Sequence, residues 1–424
     1  MIYKILRVIL YPFILFMTLL NKKIRDRFFF ERTCNYSFEK TNPNFEADYT
    51  LEFSSEGELQ LIMPLLIDLL SEDKKIELVF CSDSVFKETS RLQSSYPNHL
   101  RILCLPILTY LPWGKNQVKS WMTSKHLILT RYDFFPELIS IGSRRDIHFT
   151  LISGSIKKYI GKSSFFRKMH LKSIYKSFDR ILMATKKEKE NLESFLSFKF
   201  NNIEAFDFRC QQILNRIKNK EVTIEKRNLA PLTSFLGSSS QKSIIYGSAW
   251  LDELEFLKSQ NKESLPELIH LFVPHILDSD YIDLFSIEIK KYFKREILII
   301  DETTDLSTID LSDYTVIILA LKGILCELYS YADYTYVAGG FRSTVHSLLE
   351  PFLSNTLVLC GPNIFKSTEY DIIIENHKER IKLITESNFS QSIKSFDDGD
   401  IMSLDDLKKY YTEKYHFYYN WVKC

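Results

Sequence analysis

Residues 47–73 read ADYTLEFSSEGELQLIMPLLIDLLSED. ADYTLEF (47–53) has the composition of a half-buried or buried strand, SSEGE (54–58) is polar, and LQLIMPLLIDLLSED (59–73) has the length and apolar spacing of a core-facing helix. Strand, short loop and helix make half of a βαβ unit, and the same rhythm runs through the rest of the chain. Strands are expected over 76–82, 101–107, 126–133, 148–155 and 180–185, with helices such as 163–178 between them. Alternating elements of this kind imply parallel sheets with helices on both faces.

The rhythm pauses at 211–242, a stretch rich in Lys, Asn and Ser, which reads as an interdomain linker. It restarts with strands over 243–250, 268–275, 296–301, 315–321, 333–339, 356–362 and 381–385. A chain of 424 residues exceeds the roughly 250–300 at which single cores stop growing. The expected architecture is α/β: two Rossmann-like domains, 33–210 and 243–402, facing each other across a cleft. Ligands of such sheets bind beyond the carboxyl ends of the strands, so the residues just after each strand carry the information.

The 55 Lys and Arg against 54 Asp and Glu leave a net charge of +1, which argues against a protein built around nucleic acid. The total hides an asymmetry: residues 1–32 carry +5 and the remainder −4. Within 1–32 lies VILYPFILFMTLL (8–20), flanked by Arg7 and by Lys22, Lys23, Arg25 and Arg27. Such a stretch is too short to cross both leaflets, and it is read as a retained monotopic membrane anchor whose basic flank binds anionic lipids. A cleaved signal peptide is the alternative, but no small-residue cleavage site follows. Seven widely spaced cysteines without a CxxC point to reduced thiols facing the cytosol.

Two constellations stand out. After the first strand, Gly57 permits a tight turn and Glu58 begins the helix, where a carboxylate can act as a general base or simply complement the helix dipole. After the strand at 333–339 come Gly339 and Gly340, then His346, Ser347 and Glu350. Paired glycines let amide groups approach an anion, a following helix N-terminus adds partial positive charge, and His346 and Glu350 at i, i+4 share a helix face. Glu350 can accept hydrogen bonds from a ribose diol, the alternative being a plain glycine turn followed by a His–Glu surface pair. Gly247 and Ser248 with Trp250, Asp252 and Glu253, then His275, Gly323 and Lys366, follow other strands of the same domain. No Walker A, HExxH, GxSxG or spaced Cys/His motif appears, so no metal or cofactor is expected.

These residues, in this order, resemble the Kdo (3-deoxy-D-manno-octulosonic acid) transferases of lipopolysaccharide biosynthesis. SSEGEL (54–59) is similar to the family's S-x-G-E motif, FDFR (206–209) to G-D-T-R, GSAWLDE (247–253) to G-S-T-W-x-x-D-E, VPH (273–275) to its P-H segment, GGF…VHSLLEP (339–351) to G-G-F…H-N-x-L-E-P, and GPNIFK (361–366) to G-P-N-Y-x-K. Phe135-Pro136 after Asp133 resembles its E-L-W-P segment. The resemblance implies a GT-B glycosyltransferase, inverting and metal-independent, that transfers Kdo from CMP-Kdo to a lipid A precursor (lipid IVA) at the cytoplasmic face of the inner membrane. It makes Glu58 the catalytic base. It assigns Arg209, Gly247, Ser248, His275, Gly323, Gly339, Gly340, His346, Ser347, Glu350 and Lys366 to the donor, and Ser54, Ser55 and Asp133 to the acceptor side. By the same fold type, 403–424 forms a helix that packs back on the first domain, an exposed tail being the alternative. Three departures stand out: Ile324 where the family has Glu, Ser347 in place of Asn, and Ser155 where an Arg is expected. The alternatives are a GT-B enzyme using another nucleotide sugar and a non-catalytic membrane-bound module that binds sugar nucleotide or lipid.

Overall fold

Short runs of apolar and β-branched residues become strands here because both faces of each are covered. A computed structural model describes residues 2–38, 44–109, 117–132, 134–144, 146–157, 164–258, 267–385, 387–396 and 402–423. The runs build two seven-stranded sheets whose neighbours all pair in parallel. The chain forms two compact units, Met1–Arg209 with Tyr415–Cys424, and Cys210–Lys414.

In the first unit β1 (Tyr49–Phe53), β2 (Ile76–Phe80), β3 (Leu100–Cys104), β4 (His126–Thr130), β5 (His148–Gly154), β6 (Arg180–Met183) and β7 (Ile203–Ala205) are ordered β3-β2-β1-β4-β5-β6-β7. Only β7, three residues long, was not expected. In the second, β8 (Ser243–Ala249), β9 (Ile269–Pro274), β10 (Leu298–Ile300), β11 (Val316–Leu319), β12 (Tyr334–Val337), β13 (Leu357–Cys360) and β14 (Ile381–Leu383) are ordered β10-β11-β9-β8-β12-β13-β14. The α/β reading with two Rossmann-like sheets is therefore borne out. In each sheet the direction of winding reverses beside the first strand, between β1 and β4 and between β8 and β12.

Period-two alternation sorts the second unit into two cores. Ile244, Tyr246, Phe272, Val316 and Ile318 face one, with Phe256, Phe285 and Phe389. Ile245, Leu271, Val273, Ile317 and Leu319 face the other. That second core is closed by Ile224, Leu229, Leu232 and Leu236, which come from the stretch expected to be a linker. Instead of a linker, the structure has helices Arg209–Lys218, Lys220–Lys226 and Ala230–Ser238. Their apolar residues recur every three to five positions, and the Lys-, Asn- and Ser-rich remainder is their solvated face.

The N-terminal segment is two helices, Ile2–Leu20 and Lys22–Phe38. Val8, Ile9, Leu10, Phe13, Phe16, Leu19 and Leu20 on the first are exposed, yet no helix among the described residues is long and apolar enough to cross a membrane. The second helix is fastened to the first unit. The fully buried Glu31 carboxylate accepts from the amides of Ile107 (3.1 Å), Leu108 (3.0 Å) and Thr109 (2.9 Å), from the Thr109 hydroxyl (2.9 Å) and from Arg27 Nε (2.8 Å). The boundary expected at 32/33 thus falls inside a docked helix. At the other end, helix Leu404–Lys423 brings Tyr415 and Tyr419 into the first unit, their hydroxyls donating to Asp68 (2.7 Å) and Glu72 (2.8 Å).

Candidate functional site

In the first unit the loop after β1 is shaped by two carboxylates. Ser55, in extended conformation (φ −146°, ψ 165°), caps helix Glu56–Ser71, its Oγ accepting from the Glu58 amide at 3.4 Å. Glu58 is 5% exposed, and its Oε2 accepts from the Ser54 amide at 2.7 Å. The side chain therefore does complement the helix start, and the same bond holds the carboxylate at the carboxyl end of β1. Gly57 is not in a turn: it lies in the helix's first turn, and a Cβ there would meet nothing within 4 Å. A second buried carboxylate, Glu52, accepts from the Ser54 hydroxyl at 2.9 Å. Glu52 belongs to no motif and sits inside the strand run 47–53, so nothing local marks it. Asp133 lies outside the described residues. Ser155, buried directly after β5, offers a hydroxyl where the family has a long cation.

Arg209 also belongs to the first unit, while the other residues assigned to the donor lie in the second. Its Nε reaches both oxygens of Asp207 (3.1 and 3.0 Å) and NH2 reaches Oδ2 (2.7 Å). Burial pushes the Asp207 carboxyl up, but Arg209, aided by Arg131, outweighs it and holds the group below its ordinary value.

In the second unit the assigned residues do gather at the carboxyl ends of β8, β9, β11, β12 and β13. Ser248 adopts φ +53° at a register shift between Gly247 and Ala249. Gly247 leaves room for Tyr329, whose hydroxyl a Cβ there would strike. Gly323 has φ +76°. The exposed His275 ring stacks against both Trp250 (4.3 Å) and His346 (4.8 Å), and Trp250 Nε1 donates to His346 Nε2 at 3.2 Å. That bond leaves the proton of a neutral imidazole on Nδ1, and burial together with His275 lowers the His346 pKa, favouring the neutral form.

Three expectations about the Gly-Gly segment are corrected. The amides of Gly339 and Phe341 are not presented to an anion: they donate to Glu253 Oε2 (2.6 Å) and Oε1 (2.7 Å), a carboxylate only 4% exposed. Gly340 serves contact between loops, since a Cβ there would lie 2.6 Å from the Gly361 nitrogen. His346 and Glu350 do not share a helix, because the helix is only Leu349–Leu353, and the amides at its start are already engaged. Glu369 Oε2 accepts from the Leu348 and Leu349 amides (2.6 and 3.0 Å) and from the Ser347 hydroxyl (3.2 Å). In two of the three, a carboxylate distant in sequence fills the place that local pattern leaves for a phosphate.

Glu350 instead meets Arg216 NH1 at 3.2 Å. Burial raises the Glu350 pKa to about 7, Arg216 opposing and Glu369 and Glu327 reinforcing the rise. Lys366 is exposed, its ammonium 5.3 Å from the centre of the Phe365 ring. Ile324 is buried in the core, so its apolar side chain stands where the family carries an acid. No group of His, Cys, Asp and Glu able to hold a metal occurs among the described residues.

The arrangement is comparable with known proteins. No curated protein sequence matches the chain. Among solved structures, UDP-GlcNAc 2-epimerase from Neisseria meningitidis aligns over 89% of this chain and 94% of its own, with TM-score 0.55 and 11% identity. A glycosyltransferase from Rickettsia africae aligns over 89% and 98%, with TM-score 0.54 and 11% identity. These similarities establish the fold, which is GT-B. Residues 23–204 match the family model described as 3-deoxy-D-manno-octulosonic-acid transferase (kdotransferase). That segment, which contains the SSEGE loop and Glu58, is what the chain shares with the Kdo transferase family.

Proposed function

We propose that the protein transfers Kdo from CMP-Kdo to a lipid A precursor, with inversion and without a metal. The observation that carries this reading is the match to the Kdo transferase family over the segment in which Glu58 is buried and held at the carboxyl end of β1. Glu58 takes the proton of the acceptor hydroxyl as its oxygen bonds to the anomeric carbon; the bond from that carbon to the CMP phosphate breaks, and CMP leaves with the electron pair. Glu350 receives the ribose hydroxyls. The amides expected to hold the phosphate are occupied by Glu253 and Glu369, so this role passes to side-chain cations, with Lys366 the exposed candidate. The apolar helix Ile2–Leu20 enters one leaflet at the cytoplasmic face of the inner membrane, the Lys22, Lys23 and Arg25 cluster resting on anionic headgroups.

The test is incubation of the full chain with CMP-Kdo and lipid IVA, with the product weighed by mass spectrometry. The expected gain is one or more Kdo residues. Thermal protection by UDP but not CMP would favour another nucleotide sugar, and donor binding without any product would favour a non-catalytic module.

A further inference from the structure

Arg216 lies on helix Arg209–Lys218, in the stretch whose composition concealed its helices. Its guanidinium is engaged twice. Nε and NH2 meet Glu327 Oε1 and Oε2 fork to fork at 3.0 and 2.9 Å, and NH1 reaches Glu350 Oε1 at 3.2 Å. Side-chain exposure is 33% for Arg216, 6% for Glu327 and 23% for Glu350, so the pairs are shielded from solvent more than surface ion pairs are. The groups acting electrostatically on or from Glu350 are Arg216, Glu369 and Glu327, with the Cys326 thiol and the Tyr329 hydroxyl adjoining.

Resting on the donor reading above, we propose that Arg216 is a positioning residue of the donor site: clamped by Glu327, it holds the Glu350 carboxylate in place to receive ribose hydroxyls and favours its charged form over the protonated one. A bidentate Arg–carboxylate pair fixes the plane and direction of the guanidinium, so the remaining NH1 is aimed rather than free to rotate. Two carboxylates, Glu327 and Glu369, push Glu350 towards protonation, and burial pushes the same way. Arg216 is the cation acting against them. A protonated Glu350 would present a hydroxyl donor to a ribose diol that also has hydrogens to donate, and would lose a charge-assisted bond. The second unit's helices therefore do more than close its core: one of them positions the donor-side acid and opposes its protonation.

The test is CMP affinity of the full chain from pH 6 to 9, by calorimetry, for wild type, R216M, R216K and E327Q. Wild type gains affinity with rising pH, centred near 7. In R216M the centre moves up by about one pH unit or more, so binding is about threefold weaker at pH 7.5 and nearly restored at pH 9. R216K keeps the charge without the fork: the centre stays near that of wild type and affinity falls at all pH values. E327Q removes a like charge while its amide oxygen still meets Arg216, so the centre moves down, and this variant decides the matter should R216M fail to fold. An unmoved centre in R216M, or in E327Q, overturns the proposal while leaving the donor reading intact. A wild-type chain that binds no CMP at any pH overturns the donor reading and this proposal together.

Discussion

Glu253 is where sequence pattern and tertiary structure disagree most sharply, and replacing it separates them. Its two oxygens each hold one backbone amide of the turn after β12, Gly339 at 2.6 Å and Phe341 at 2.7 Å, at a site 4% exposed. In Glu253→Gln one oxygen remains; the other position becomes an NH2 facing an amide N–H. One charge-assisted bond, worth about 1.5–3 kcal/mol, is lost, and a buried donor is left without a partner at a cost of about 1–3 kcal/mol. A loss of about 3 kcal/mol or more follows. For a unit the size of Cys210–Lys414 this lowers its melting temperature by roughly 6–12 °C, measurable by calorimetry. Glu253→Ala empties the place altogether and exposes both amides to whatever anion is present. Inorganic phosphate is then expected to stabilise Glu253→Ala but not wild type through this turn. If Glu253→Gln melts with wild type, or phosphate raises wild type and Glu253→Ala equally, the turn is open in the native chain and the carboxylate-capped description is wrong.

Other outcomes follow from the same structure. Glu58→Gln keeps an oxygen for the Ser54 amide, so it is expected to fold and bind CMP as wild type does while transfer falls by about 10²–10⁴-fold; near-normal transfer would remove Glu58 from the base role. Deleting residues 2–21 should abolish binding to anionic vesicles and lower the melting temperature only slightly, through loss of the Arg7 bond to the Ile107 carbonyl and of buried Tyr11, whereas a cut at residue 33 also removes Glu31, strips the amides of 107–109 of their acceptor and lowers stability further. Burial, helped by the charge of Arg295, lowers the pKa of His270 to about 3, its Nδ1 lying 3.0 Å from the Tyr246 hydroxyl. The folded chain thus keeps His270 neutral while the unfolded chain protonates it below about pH 6.5. Its contribution is whole above that pH and is lost on acidification at up to about 1.4 kcal/mol per pH unit until about pH 3. His270→Asn, which cannot titrate, should show a shallower acid limb in denaturant titrations; an unchanged slope would count against a buried neutral imidazole.

The strands were legible because a parallel sheet covered on both faces requires nearly continuous apolar runs, and such runs are local. Glu58 was legible for a similar reason: strand, polar loop and helix are contiguous, so its place at the end of β1 follows from neighbours in sequence. The helices at 209–238 were not, because a helix with one narrow buried stripe and a Lys-, Asn- and Ser-rich exterior has the composition of a linker. Their apolar spacing at Ile224, Leu229, Leu232 and Leu236 was the available signal.

By itself, the sequence determined the two α/β units, the order of nearly all strands along the chain, the apolar and basic N-terminus and the loops in which chemistry would be sought. All of these depend on composition and period over a few residues. What only the tertiary structure decided is which groups meet in those loops. Glu253 closes the Gly339 turn from 86 residues away, Glu369 caps the helix that begins at Leu349, and Arg216 reaches Glu327 and Glu350 across 111 and 134 residues. Local pattern records that a backbone amide or a carboxylate is available. Whether it is offered to a ligand or already satisfied depends on side chains delivered by distant segments, and burial makes that partnership obligatory.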